Sequence, residues 1–215
     1  MSYAELQVTT HFSFLRGASS ADALFQAAKA LGISALGVVD RNSLAGIVRA
    51  LEASRETNIR LVVGCRLDLQ DGMSILVYPT DRAAYSRLTR LLTLGKSRGG
   101  KANCILHLDD VARYAEGLIG VLVPGLPDEA CAVQLRKMAE IFGDRAYMAL
   151  TLRRRPRDQL RLHNLSNLAT RFGVRPVVTN DVLFHDPDRR QLQDVVSCIR
   201  TNTTIPPASR RRRAR

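Results

Sequence analysis

Tyr3-Ala4-Glu5-Leu6-Gln7-Val8-Thr9-Thr10-His11-Phe12-Ser13-Phe14-Leu15-Arg16-Gly17-Ala18-Ser19-Ser20 opens the chain as a short apolar run that ends in a turn and leads into a helix. A strand is predicted over 5–9 and a helix over 20–31, where Ser19 with Asp22 makes a capping-box pattern and Gly32 supplies a left-handed stop. The same unit recurs. Further strands are predicted over 35–39, 60–67, 73–78, 118–123, 146–151 and 175–179, and helices over 43–57, 81–94, 127–142, 157–172 and 188–200. In the last helix Leu192, Val195, Val196 and Ile199 share one face. Such alternation predicts an α/β protein with a mainly parallel, helix-covered sheet. Periodicity does not choose between a closed barrel and an open doubly wound sheet.

Composition narrows the class. At 215 residues with 46% hydrophobic and 24% charged, the chain reads as one globular domain able to bury a core. It has no apolar run long enough to span a membrane, and its first residues lack the basic and apolar regions of a secretion signal, so a cytoplasmic location is expected. Cys65, Cys104, Cys131 and Cys198 are scattered, as reduced thiols would be. The net charge of +12 points toward a polyanion, with Arg153, Arg154, Arg155 and Arg157 between a strand and a helix as candidate nucleic-acid contacts. A solvated loop is the other reading of that cluster. Gly95-Lys96-Ser97 reads as part of a flexible basic loop over 95–101. It is no phosphate-cradling motif, because Arg90 stands where the first glycine belongs.

Four strand ends carry the functional signal: Gln7-Val8-Thr9, Asp40-Arg41, Gly64-Cys65-Arg66 and Asp181-Val182-Leu183. In order and spacing they resemble the four motifs of the PHP (polymerase and histidinol phosphatase) domain. The flanks Tyr3-Ala4-Glu5-Leu6 and Phe12 to Ser20 resemble the start of bacterial error-prone DNA polymerases, the damage-inducible members of polymerase family C. The resemblance covers about residues 3–204 and implies an irregular seven-stranded (β/α) barrel of the PHP type, with its site at the C-terminal mouth of the strands.

The resemblance also implies which side chains would hold metal. At the His-x-His motif stand Gln7 and Thr9, an amide and a hydroxyl; Asp-His has become Asp40-Arg41; Gly-x-Glu has become Gly64-Cys65-Arg66; and the last motif keeps Asp181 but has Leu183 at the histidine. Only Asp40 and Asp181 keep ligand character, too few for a catalytic site, so no metal is expected. His11 reads as a surface histidine, Cys65 as a small buried residue, and His185 as a possible substitute near Asp181. Arg41 and Arg66 are expected to pair with Asp40 and Asp181 in place of the lost ions. His107-Leu108-Asp109-Asp110 resembles a helix entrance capped by Asp109, and His163 an exposed helical residue.

By resemblance the parent enzyme is a DNA-directed nucleotidyltransferase for translesion synthesis and repair. It holds magnesium in a polymerase core and works on DNA with a sliding clamp and a Y-family-like accessory protein. Alone, this chain is expected to be a non-catalytic scaffold that packs on the missing palm and thumb. Residues 205–215 resemble nothing in the family and read as a disordered or out-of-frame tail of a truncated product. An arginine tail serving nucleic acid or membrane lipid is the other reading of that segment. Two further readings of the whole chain remain: a free-standing PHP-type metal-dependent phosphoesterase and a small nucleic-acid-binding module.

Overall fold

The apolar run 60–67 is two strands, because Gly64 interrupts it. The structure, a computed structural model, describes residues 3–205; the arginine-rich segment 206–215 lies outside them. Its strands are β1 (Ala4–Val8), β2 (Ala35–Val38), β3 (Arg60–Val63), β4 (Cys65–Asp68), β5 (Ser74–Pro79), β6 (Leu118–Leu122), β7 (Ala146–Leu150) and β8 (Arg175–Val178). A Cβ at Gly64 would stand 2.7 Å from the Tyr78 ring and 2.8 Å from Val39 Cγ1, so only glycine lets the backbone pass there.

The helices are α1 (Ala21–Ala30), α2 (Ile47–Thr57), α3 (Arg82–Gly99), α4 (Leu108–Tyr114), α5 (Glu129–Phe142), α6 (Asp158–Arg171) and α7 (Arg190–Thr201). The expected flexible loop over 95–101 is corrected: residues 95–99 are the last turns of α3. Gly95 lies against Cys104 and Leu106 and accepts the Ile105 N–H, so packing holds the helix together where propensity argued against it. Two caps also differ. Ser20, not Ser19, caps α1. His107, not Asp109, caps α4, with Asp110 bonding back to the His107 N–H.

Strands β1, β2 and β3 form one parallel sheet, and β4 to β8 a second of five strands. In the second, β5 pairs antiparallel with both β4 and β6, while β6, β7 and β8 run parallel. The seven-stranded barrel is therefore corrected to a two-sheet α/β fold with a mixed second sheet. The sheets meet through the isolated bridges Val8↔Val182 and Arg41↔Arg66. Asp181, at φ +50°, turns the chain out of extended geometry just before Val182.

Three clusters build the core. Leu88, Leu91, Leu135, Met138, Phe142 and Leu165 seat α3, α5 and α6 on the five-stranded sheet. Leu24, Phe25, Ala50 and Ala53 seat α1 and α2 on the three-stranded one. Val39, Leu76, Tyr78, Val121 and Ala149 fill the space between the sheets, where the Tyr78 hydroxyl donates to the Leu6 carbonyl. Full burial of each large apolar side chain contributes about 1.5–3 kcal/mol. That packing fixes the strand ends that carry the site.

Candidate functional site

Gln7 lies at the end of β1, 1% exposed, so its amide must find partners inside the protein. Its Nε2 donates to Asp181 Oδ1 at 2.8 Å, and its Oε1 accepts from the Thr179 hydroxyl at 2.8 Å. Thr179 shares a further 2.8 Å bond with Thr151. Thr9 is also buried, and its N–H donates to the Val182 carbonyl.

Asp40 follows β2 and is 1% exposed. It accepts 2.8 Å bonds from the Thr10 N–H, the Thr10 hydroxyl and the Ser13 hydroxyl. Burial pushes its carboxyl above the usual aspartate range, and these three bonds oppose that rise. The expected pairing of Asp40 with a guanidinium is thus corrected: hydroxyls from the turn after β1 already meet its oxygens.

The guanidiniums converge instead on Asp68, a residue the sequence reading did not single out. Arg41 donates to Asp68 Oδ2, and Arg66 Nε lies 3.1 Å from Asp68 Oδ1 and 2.7 Å from Ser74 Oγ. Ser74 donates in turn to Asp68 at 2.7 Å. Burial alone would raise the Asp68 carboxyl, but Arg41 and Arg66 hold it below its ordinary value. Burial draws the Arg66 guanidinium down, and the neighbouring Arg41 charge adds to that. Arg66 also reaches Asp181, with 3.7 Å between Nη1 and Oδ1. A signal for Asp68 was present: residues two apart on a strand share a face, which sets it beside Arg66.

The other candidates lie apart from this network. His185 bonds Ser19 through Nδ1 at 2.8 Å, so it does not substitute beside Asp181. Leu183 is partly buried, and its carbonyl accepts the Ala18 N–H. His11 is exposed and lies 4.9 Å from the Phe12 ring. Cys65 is fully buried, and desolvation pushes its thiol up to about 12. His163 is exposed and bonds Asn167. Arg153, Arg154, Arg155 and Arg157 sit exposed in the loop between β7 and α6, where the Arg153 N–H donates to Asp158. Among the described residues no group of three or more His, Cys, Asp or Glu side chains gathers as metal ligands would.

Residues 5–160 match the PHP domain family, across the strand ends that carry Gln7, Asp40 and Arg66. The chain belongs to the PHP domain family. This PHP domain is 80% identical, over 95% of its length, to error-prone DNA polymerase 3 of Agrobacterium fabrum and to the error-prone DNA polymerase of Allorhizobium ampelinum. It is 49% identical over 94% to the corresponding polymerase of Caulobacter vibrioides. The match lies in their N-terminal region, and the chain spans 19% of the length of each. Among solved structures the fold is similar to a Bifidobacterium adolescentis protein assigned as a metal-dependent phosphoesterase, with TM-score 0.66, 13% identity, and coverage of 91% of this chain and 96% of that one. An amidohydrolase from Chromobacterium violaceum superposes with TM-score 0.58 at 13% identity, over 85% of this chain and 88% of its own. At that identity the likeness concerns the fold alone. No helix among the described residues is long and apolar enough to cross a membrane.

Proposed function

We propose that this chain is a PHP domain of the error-prone polymerase type whose metal site has degenerated, so that it acts as a non-catalytic structural module. One observation carries the reading: Arg66, at the position of a ligand glutamate, lies 3.1 Å from Asp68 and 3.7 Å from Asp181. The donor set does not fit a di- or trinuclear metal centre. Gln7 and Thr9 offer no imidazole, Asp40 already accepts three hydrogen bonds from Thr10 and Ser13, and a fixed positive charge sits beside Asp181. A divalent ion entering that rim would meet two guanidiniums at close range. No hydrolytic step is therefore assigned to it.

The module extends to about residue 204 and belongs to damage-induced translesion synthesis and repair, in the cytoplasm. On this reading the nucleotidyl-transfer chemistry and its magnesium reside in the part of the relatives that this chain does not cover. DNA, a sliding clamp and a Y-family-like accessory protein are partners of that larger machine. The scaffold role has support in α7, where Leu192, Val195 and Ile199 are 42%, 41% and 60% exposed, an apolar face suited to packing on further polymerase structure.

A free-standing phosphoesterase is the second reading, favoured by the fold it shares with the Bifidobacterium protein. A chromogenic phosphate-ester assay with added manganese or zinc separates the two. The proposal expects no turnover above a metal-only blank; turnover abolished by Asp40→Asn would overturn it.

A further inference from the structure

A second feature adjoins the rim and shares Arg41 and Asp68 with it. A cleft of about 600 Å³ runs between the turn after β1 and the end of α3, within the size range of sites that hold a nucleotide-sized ligand. Arg16, Arg41 and Lys96 line it, together with the rings of Phe12 and Phe14. Its one lining carboxylate, Asp68, is already shared by Arg41 and Arg66. Among the described residues neither Arg16 nor Lys96 forms an ion pair. The cleft therefore holds more positive charge than it neutralises. Burial and then the charges of Arg41 and Arg200 draw the Arg16 guanidinium below its ordinary value, against an opposing effect of Asp68.

The aromatic side is as specific. Phe14 is 83% exposed and so contributes little to packing, yet the turn that presents it is firmly built. Ser13 is buried and bonds Asp40, the Arg16 N–H bonds the Ser13 carbonyl at 2.9 Å, and Gln193 Nε2 holds the Arg16 carbonyl at 2.8 Å. A ring held out by an anchored turn loses little entropy when a flat partner lies on it. Cations that track phosphates beside a ring that accepts an unstacked base are the two elements of single-strand recognition.

We propose that the cleft of Phe12, Phe14, Arg16, Arg41 and Lys96 binds single-stranded nucleic acid, one phosphate seated among the cations and the adjoining base laid on Phe14. Duplex DNA is disfavoured, because its bases are stacked away from the ring. The exposed Arg153 to Arg157 loop contributes only general attraction.

The test is fluorescence anisotropy of the full chain with labelled oligodeoxythymidylate of about a dozen nucleotides, read at two salt concentrations. Phe14→Ala, at an exposed position that leaves folding intact, is expected to weaken binding about fivefold or more. Arg16→Ala, Arg16→Gln and Lys96→Ala are each expected to weaken it and to lower the salt slope by about 0.7. An abasic strand of equal length should bind the parent chain as weakly as thymidylate binds Phe14→Ala, and inorganic phosphate should compete poorly. Unchanged affinity in Phe14→Ala and both Arg16 variants, with the loss appearing only in Arg153→Ala/Arg154→Ala, overturns the proposal. So does equal binding of thymidylate and inorganic phosphate, or an oligoglutamate peptide that binds as tightly and ignores Phe14→Ala.

Discussion

The amide of Gln7 donates to the carboxylate of Asp181 at 2.8 Å across 174 residues of chain, so a side-chain hydrogen bond ties β1 to the segment that follows β8. Gln7 also satisfies Thr179, which in turn meets Thr151. The bonds pass from β1 to the ends of β8 and β7 and so help to hold the three strand ends together.

Replacing Gln7 with Ala should cost about 1–3 kcal/mol, since it removes one of the two side-chain bonds of the buried Thr179 hydroxyl and the amide donor to Asp181. Urea denaturation followed by far-UV circular dichroism checks this. A loss below about 0.3 kcal/mol would show that water takes over both bonds.

Asp68 and Asp40 should give opposite pH dependences. The Asp68 carboxyl titrates below its unfolded value, so its contribution is present above that value and is lost as pH falls through the folded one. The Asp40 carboxyl titrates above its unfolded value, so its contribution is full below that value and declines as pH rises through the folded one. Asp68→Asn should therefore flatten the acid limb of the stability curve and Asp40→Asn the limb just above it, read as urea midpoints at a series of pH values. Asp68→Ala should also cost about 1–3 kcal/mol at neutral pH, because two partly buried guanidiniums lose their carboxylate.

Gly64→Ala should destabilise by about 1–3 kcal/mol, as the new methyl would stand 2.7 Å from Tyr78, whose ring is fixed between the two sheets. Thermal unfolding measures it. Combining the change with Tyr78→Leu should recover part of the loss, because the opposing ring is gone.

Manganese, zinc or a chelator should leave the melting temperature unchanged, because a ligand stabilises only the state that binds it. A rise of several degrees at sub-millimolar metal, reversed by the chelator, would contradict the degenerate reading of the rim.

Ile199→Lys should change stability by less than about 0.5 kcal/mol and raise solubility, since Ile199 is 60% exposed on the apolar face of α7. Concentration-dependent light scattering of the two proteins provides the measure.

Element order was legible from the chain because strand alternation and helical period are written within a few neighbouring residues. Every predicted strand and helix has a counterpart in the structure, and the boundaries moved by up to about four residues apart from the Gly64 division and the extension of α3 to Gly99. That Gln7, Asp40, Arg41, Arg66 and Asp181 lie at or beside strand ends was legible too, since it follows from position along the chain. Tertiary structure alone decided how β5 pairs, that Gly95 stays helical against Cys104 and Leu106, that Thr10 and Ser13 serve Asp40, and that Arg41 turns to Asp68. The physical reason is range. A backbone preference is set by adjacent residues, whereas the partner of a long charged side chain depends on which distant strand end lies within about 4 Å, and only the packed sheets determine that.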